Sequence, residues 1–174
     1  MITLILGGAR SGKSRYAERL AQAKQKPVLY IATATALDDE MAARIAHHQQ
    51  QRPADWHLLE CPLKLSEALA AEAQKNQIIL VDCLTLWLNN QLFNFPQQSF
   101  TELFNELIAS TQNAQADIIL VANEVGLGII PLGEISRTFV DEAGRLNQRI
   151  AQIADQVFFI AAGLPLQLKG SRHD

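Results

Sequence analysis

The chain has 174 residues, 48% of them hydrophobic and 19% charged, and a formal net charge of −3. Such an apolar share fills the core of one domain over 1–174 and excludes global disorder, while the slight acidity argues against a nucleic-acid partner gripped over a broad basic face. Two cysteines, Cys61 and Cys83, exclude a disulfide scaffold and form no zinc-type cluster, and no stretch reaches the roughly 18 apolar residues of a membrane span; the reading is a cytoplasmic protein with no membrane span.

The chain opens on Ile2–Leu6, an apolar run without polar alternation. That is the pattern of a parallel strand covered on both faces, and it is too short for a signal-peptide core. It leads directly into Gly7-Gly8-Ala9-Arg10-Ser11-Gly12-Lys13-Ser14, a full match to G-x-x-x-x-G-K-[ST]. Glycines let the backbone curl its N–H groups inward at phosphate oxygens, and the helix expected over Lys13–Lys24 aims its positive end at the same point. In such a loop Lys13 reaches the outer phosphates and the Ser14 hydroxyl holds Mg²⁺.

Val28–Thr33 is the second expected strand, followed by a helix over Asp38–Gln51. His57–Cys61 reads as an edge strand and Leu65–Lys75 as a helix. Ile78–Asp82 is a third buried strand whose closing Asp82 fits the metal-side acid of a phosphate-loop protein, with a helix cap as the alternative role. Leu84–Leu88 and Leu92-Phe93 are too apolar for a solvated helix and read as core or subunit interface. Beyond them lie a helix over Thr101–Gln112, a strand over Ile118–Asn123, a helix over Val140–Ile153 and a strand over Val157–Ala161. Glu124, just past its strand, is a second candidate acid. Gly126-Leu127-Gly128 begins like a dinucleotide fingerprint, but Pro131 interrupts the helix it would need and Gly133 is off register. Pro53, Pro62, Pro96, Pro131 and Pro165 all fall between these elements, which supports the parsing. Strand–helix alternation of this kind predicts an α/β fold, a P-loop NTPase-type three-layer sandwich with a mostly parallel central sheet.

In the expected helix over Asp38–Gln51, about 100° per residue places Glu40, Arg44, His47 and Gln51 on one polar side and Met41, Ile45 and His48 on a more apolar one. Two readings of His47 follow. One is an imidazole on a solvated face; the other is a nucleophile toward phosphorus, with Arg44 one turn away to steady phosphoryl charge.

The assembled motifs resemble the bifunctional adenosylcobinamide kinase / adenosylcobinamide-phosphate guanylyltransferase family of cobalamin biosynthesis. The resemblance runs through Gly7–Ser14, Tyr30–Thr33, Asp38–His48 with Arg52-Pro53, Asp82–Leu88, Asn123–Pro131, Asp141 with Gly144–Gln148, and Gly163–Lys169. It implies two reactions, phosphorylation of adenosylcobinamide by ATP or GTP and then guanylylation of adenosylcobinamide phosphate by GTP with release of pyrophosphate. It implies GMP transfer through a phosphoramidate on His47, and nucleotide contacts from Thr33, Ala34, Thr35, Gln50, Gln51, Arg52, Pro53, Glu60 and Asp82 alongside the phosphate loop. Ser14 and Asp82 would place Mg²⁺, Lys13 would offset phosphate charge, and the enzyme would be a homotrimer. Arg137 and Arg145 read equally as phosphate ligands or as surface ion pairs. Two rivals stand beside this reading, a plain P-loop kinase with no covalent intermediate, which has no use for His47, and a non-catalytic nucleotide-binding module that switches assembly state, which an assay of turnover with cobinamide would distinguish.

Overall fold

Residues with no polar alternation can form strands only where both faces are covered, and that is how β1 (Ile2–Gly7), β4 (Ile78–Asp82) and β5 (Asp117–Asn123) are used. Neighbouring side chains point to opposite faces. Leu4, Leu6, Ile79, Val81, Ile118, Leu120 and Ala122 enter one apolar cluster. Ile5, Ile78, Leu80, Ile119 and Val121 enter the other. In the computed structural model the described residues are 1–35 and 53–170; the helix expected over Asp38–Gln51, with His47, lies outside them, as do Gln50, Gln51 and Arg52.

The sheet has seven strands in the order β3-β2-β4-β5-β1-β6-β7, where β2 is Val28–Ala32, β3 is His57–Glu60, β6 is Gln156–Ala161 and β7 is Leu164–Lys169. All neighbours are parallel except β6 and β7. One face is covered by α1 (Lys13–Ala23), which approaches through the fully buried small residues Ala17 and Ala21. The other face carries α2 (Leu65–Glu72), α3 (Leu84–Asn94), α4 (Phe100–Gln112) and α5 (Glu134–Ile153). The result is the expected three-layer α/β arrangement. Leu84, Trp87 and Leu88 are fully buried, as their apolarity required, whereas Phe93 is exposed. The Trp87 indole satisfies its N–H by donating to the Leu63 carbonyl at 2.8 Å. Ser99 starts α4 by accepting a hydrogen bond from the Glu102 N–H.

Two expectations are corrected. The last helix starts at Glu134, not near Val140; its first two turns are largely exposed, so they lack the apolar stripe that marks a core-facing helix. Pro165 does not fall in a gap but inside β7, paired with Ile160. β7 is the edge of the sheet, where a missing N–H costs no ladder bond. It folds back on β6 through Ala162 and Gly163, both at positive φ (52° and 79°), the two-residue turn that suits strand twist.

Candidate active site

The C-terminal ends of β1, β2, β4 and β5 share one edge of the sheet, the edge at which parallel α/β folds take their ligands. Gly7–Ser14 joins β1 to α1 there. Its curl depends on close approach: a Cβ on Gly7 would lie 2.6 Å from both the Ile160 carbonyl oxygen and Ser11 Oγ, and a Cβ on Gly12, which sits at φ 96°, would lie 3.2 Å from Gly163 Cα. The loop is closed by the Ser11 N–H donating to the Gly8 carbonyl at 3.2 Å and tied to the β6–β7 turn by the Gly163 N–H donating to the Ser11 carbonyl at 2.8 Å. Ala9 and Arg10 are exposed at its tip, Arg10 at φ 55°.

Lys13 is only 8% exposed, and its ammonium donates to the Gly8 carbonyl at 2.9 Å. Burial lowers its pKa, opposed by the nearby Cys83 and Asp82. A desolvated cation held against the loop that would receive phosphates is ready to exchange a carbonyl for an anion. Asp82 ends β4, half-buried, with its Oδ2 accepting a 2.8 Å hydrogen bond from the Tyr30 hydroxyl of β2. Among the described residues Oδ1 has no donor. The Ser14 hydroxyl and the Asp82 carboxylate are oxygen donors of the kind Mg²⁺ takes, one or two from protein and the rest from phosphate and water. Among the described residues no cluster of three or more His, Cys, Asp or Glu could hold a metal ion.

Behind Asp82 the β2 and β4 exits are bolted together. The Asp82–Cys83 peptide is cis. The Cys83 N–H donates to Thr33 Oγ1 at 2.8 Å, and the Thr33 hydroxyl donates to the Cys83 carbonyl at 2.7 Å. The Thr33 N–H donates to the Asp82 carbonyl at 3.2 Å, and Asn90 Nδ2 to the Thr33 carbonyl at 2.8 Å. Thr33 is therefore wholly buried and faces protein, while Ala34 is half-buried and Thr35 exposed beside the site. Cys83 is buried next to Asp82, and burial raises its thiol pKa to about 11, so it stays protonated at neutral pH.

The other candidates are scattered more widely. Glu60 is exposed at the end of β3, paired in register with Ala32, and Pro53 is half-buried at the start of the segment leading to β3. Glu124 follows β5 with its N–H donating to the Gly7 carbonyl, but its Oε1 accepts the Gly126 N–H at 2.7 Å, a local turn contact. Arg145 pairs with Glu142, and Arg137 donates to the Pro131 and Leu132 carbonyls, so both are engaged within their own neighbourhood. The sequence reading took Tyr30 only as part of the Tyr30–Thr33 match and missed its contact with Asp82. Its signal was a phenol inside an otherwise aliphatic strand, two residues from the strand end and on the same face as Asp82.

A phosphate loop on the P-loop strand, a strand-end carboxylate two strands away and a buried lysine between them define a P-loop nucleotide-binding protein. Solved structures agree on the fold: the RadB recombinase superposes with a TM-score of 0.53 at 12% identity over 91% of this chain and 73% of that one. An ATP synthase subunit, NeqB, from Nanoarcheaum equitans gives 0.56 at 13% identity over 92% of this chain and 46% of that one. The chain belongs to the cobinamide kinase / cobinamide phosphate guanyltransferase family, whose model matches residues 3–168. It is 53% identical over 170 residues to the bifunctional adenosylcobalamin biosynthesis protein CobP of Pseudomonas aeruginosa, covering 98% of each chain. It is 41% identical to the bifunctional adenosylcobalamin biosynthesis protein CobU of Escherichia coli, covering 97% of this chain and all of that one.

Proposed function

We propose that this chain catalyses both reactions of its family at its one P-loop: phosphorylation of adenosylcobinamide by a nucleoside triphosphate, then transfer of GMP from GTP to adenosylcobinamide phosphate. The observation that carries the reading is the buried Lys13 beside Asp82 at the mouth of a complete phosphate loop, in a chain that matches the family over nearly its whole length.

In the first reaction the substrate hydroxyl attacks the γ-phosphorus, its bond to the β-bridging oxygen breaks, the nucleoside diphosphate leaves and the hydroxyl proton passes to solvent. The Gly7–Ser14 amides and Lys13 take up the charge on the phosphates. In the second, an imidazole nitrogen of His47 attacks the α-phosphorus of GTP and pyrophosphate leaves. A phosphate oxygen of the corrinoid substrate then breaks the P–N bond, giving adenosylcobinamide-GDP and free His47. Mg²⁺, bound through Ser14 and Asp82, supplies charge neutralisation at the phosphates. Tyr30 fixes the Asp82 carboxylate, and Thr33 fixes the backbone on which it stands. Thr35, Glu60 and the segment Gln50–Pro53 are the further nucleotide contacts in this reading. The enzyme acts in the cytoplasm as a homotrimer, to which the exposed apolar residues Ile129, Ile130 and Leu132 after β5 are suited.

The test uses GTP labelled at the α- or the γ-phosphate, followed by denaturation. The α-label stays on the protein in an acid-labile linkage and is lost in His47→Ala. A stable γ-label, or full α-labelling of His47→Ala, overturns the covalent step and leaves a plain kinase.

A further inference from the structure

The chain leaving β5 stays at the phosphate loop before it turns to α5. The Glu124 N–H donates to the Gly7 carbonyl at 3.0 Å, and Glu124 Oε1 accepts the Gly126 N–H at 2.7 Å. At the other end of this connection Arg137 Nη1 donates to the Pro131 and Leu132 carbonyls. Polar groups thus brace the segment at both ends. Between the braces it holds aliphatic side chains out into solvent. Leu127, Ile129, Ile130 and Leu132 are 80%, 97%, 77% and 98% exposed. Large apolar side chains exposed together mark a surface that another molecule covers.

Between this loop and α5 lies a cavity of about 210 Å³, lined by Val125, Ile129, Ile130 and Val140 together with Arg137 and Asp141. Arg137 and Asp141 stand one turn apart on α5 and share a face. Among the described residues the Asp141 carboxylate has no hydrogen bond or ion pair. Arg137 spends Nη1 on the loop carbonyls, which leaves the N–H donors of Nη2 and Nε. The cavity therefore offers an aliphatic wall, an acceptor and a planar set of donors. That combination complements a primary carboxamide, whose N–H groups meet the carboxylate and whose carbonyl meets the guanidinium. A phosphate would be repelled by Asp141. The volume is below the roughly 300 Å³ at which small-molecule sites begin, so the cavity takes an edge of a large ligand.

Sheet order places the cavity on the acceptor side of the site. The loop leaves β5 next to β1, whereas the ends of β2 and β3, to which the contacts of Thr35 and Glu60 are assigned above, lie beyond β4. In phosphoryl transfer the attacking and leaving oxygens are roughly in line, so the acceptor arrives from the side away from the departing nucleotide. The acceptor in the reactions above is a corrinoid, a broad ring with aliphatic groups over its faces and primary carboxamides around its edge.

We propose that this cavity receives a carboxamide from the corrinoid edge, with Asp141 accepting its N–H and Arg137 donating to its carbonyl, and that the loop after β5 thereby selects the acceptor substrate. The proposal rests on the corrinoid reading above and adds to it the surface that recognises the ring. Leu132 does not line the cavity and is left for the subunit contact.

The experiment titrates adenosylcobinamide, without nucleotide, into the intact chain by calorimetry, for wild type, Asp141→Ala, Asp141→Asn and Val140→Phe. It is repeated with a corrinoid carrying carboxylates in place of the edge amides, and GDP binding and sedimentation are measured alongside. Loss of one charge-assisted hydrogen bond predicts that Asp141→Ala binds adenosylcobinamide about tenfold more weakly. Asp141→Asn keeps an acceptor oxygen, loses less, and binds the carboxylate corrinoid better than wild type does. Val140→Phe fills the cavity and also weakens adenosylcobinamide, while GDP affinity and sedimentation hold in all three variants. Corrinoid affinity unchanged in Asp141→Ala and Val140→Phe overturns the proposal, and it leaves the functional reading standing if wild type turns the corrinoid over. Altered sedimentation in these variants also overturns it, since the cavity would then be a subunit contact. A wild type that binds the corrinoid through Asp141 but transfers no phosphoryl group keeps the proposal and removes the functional reading. A wild type that binds no corrinoid overturns both.

Discussion

The two ends of β5 treat polar groups in opposite ways. At its start Asp117 is saturated: its carboxylate meets the Met1 amine at 3.1 Å, Lys24 at 3.3 Å and Lys26 at 3.1 Å. At its finish, six residues on, Asn123 keeps a buried oxygen with no partner among the described residues, and nearby Asp82 and Lys13 engage only part of their capacity with protein. One strand therefore runs from a place where charge closes the structure to one where bonding capacity is left for a ligand. Completed networks contribute to stability and incomplete ones cost some, and the cost is tolerated where a substrate later fills them.

The contrast is broken most severely by Lys13→Ala. If the site end is built for phosphate, both phosphoryl and guanylyl transfer fall by about 10²–10³-fold, as when a group stabilising transition-state charge is removed, with the melting temperature at or above the wild-type value. Activity retained in either reaction would refute a single shared P-loop.

At the opposite end, Asp117→Asn tests the structural role. Burial disfavours the charged carboxylate, but the hydrogen bonds from the terminal amine and Lys26 and the charge and hydrogen bond of Lys24 outweigh it and hold the pKa at about 2. A depressed acid stabilises the fold above its ordinary pKa, and that stability is lost as the pH falls through the folded value. The contribution is about 2 kcal/mol. Unfolding monitored at pH 7 shows the variant less stable by about that amount, and the difference from wild type closes near pH 2.

Thr33→Val sharpens the comparison from within the site, since Thr33 is a saturated group in an unsaturated neighbourhood. The change strands the buried Cys83 N–H and costs roughly 1–3 kcal/mol, read as a lowered denaturant midpoint. Equal stability would mean that the bolt between the β2 and β4 exits is dispensable. Tyr30→Phe has the smallest effect. It removes one hydrogen bond from Asp82, worth about 1 kcal/mol, so the Mg²⁺ concentration for half-maximal turnover rises about fivefold while stability holds.

Much of the frame was legible because its signals are local. The phosphate loop is eight contiguous residues whose spacing is dictated by backbone geometry, and it folds where the motif said. Strands buried on both faces announce themselves as aliphatic runs, so β1, β4 and β5 were found to within a residue at each end. β7 was missed because Pro165 reads as a breaker until its strand is known to be an edge. The first turns of α5 were missed because they bury little. The residues that position the site were illegible for another reason. The partners of Tyr30, Thr33, Thr85 and Asn90 lie 28 to 57 residues away in sequence, so no local pattern shows what these side chains meet.

By itself the sequence determined an α/β chain with one phosphate loop, a strand-end acid at Asp82 and a family pattern running its whole length, because each of these is written in contiguous residues or in simple periodicity. Only the tertiary structure decided that β5 sits between the strands of Gly7 and Asp82, that Tyr30 holds the acid, and that Asn123 is clamped by its backbone with its carboxamide oxygen unpartnered among the described residues. Those facts depend on strand order, which is set by long-range packing of both sheet faces and by no segment alone.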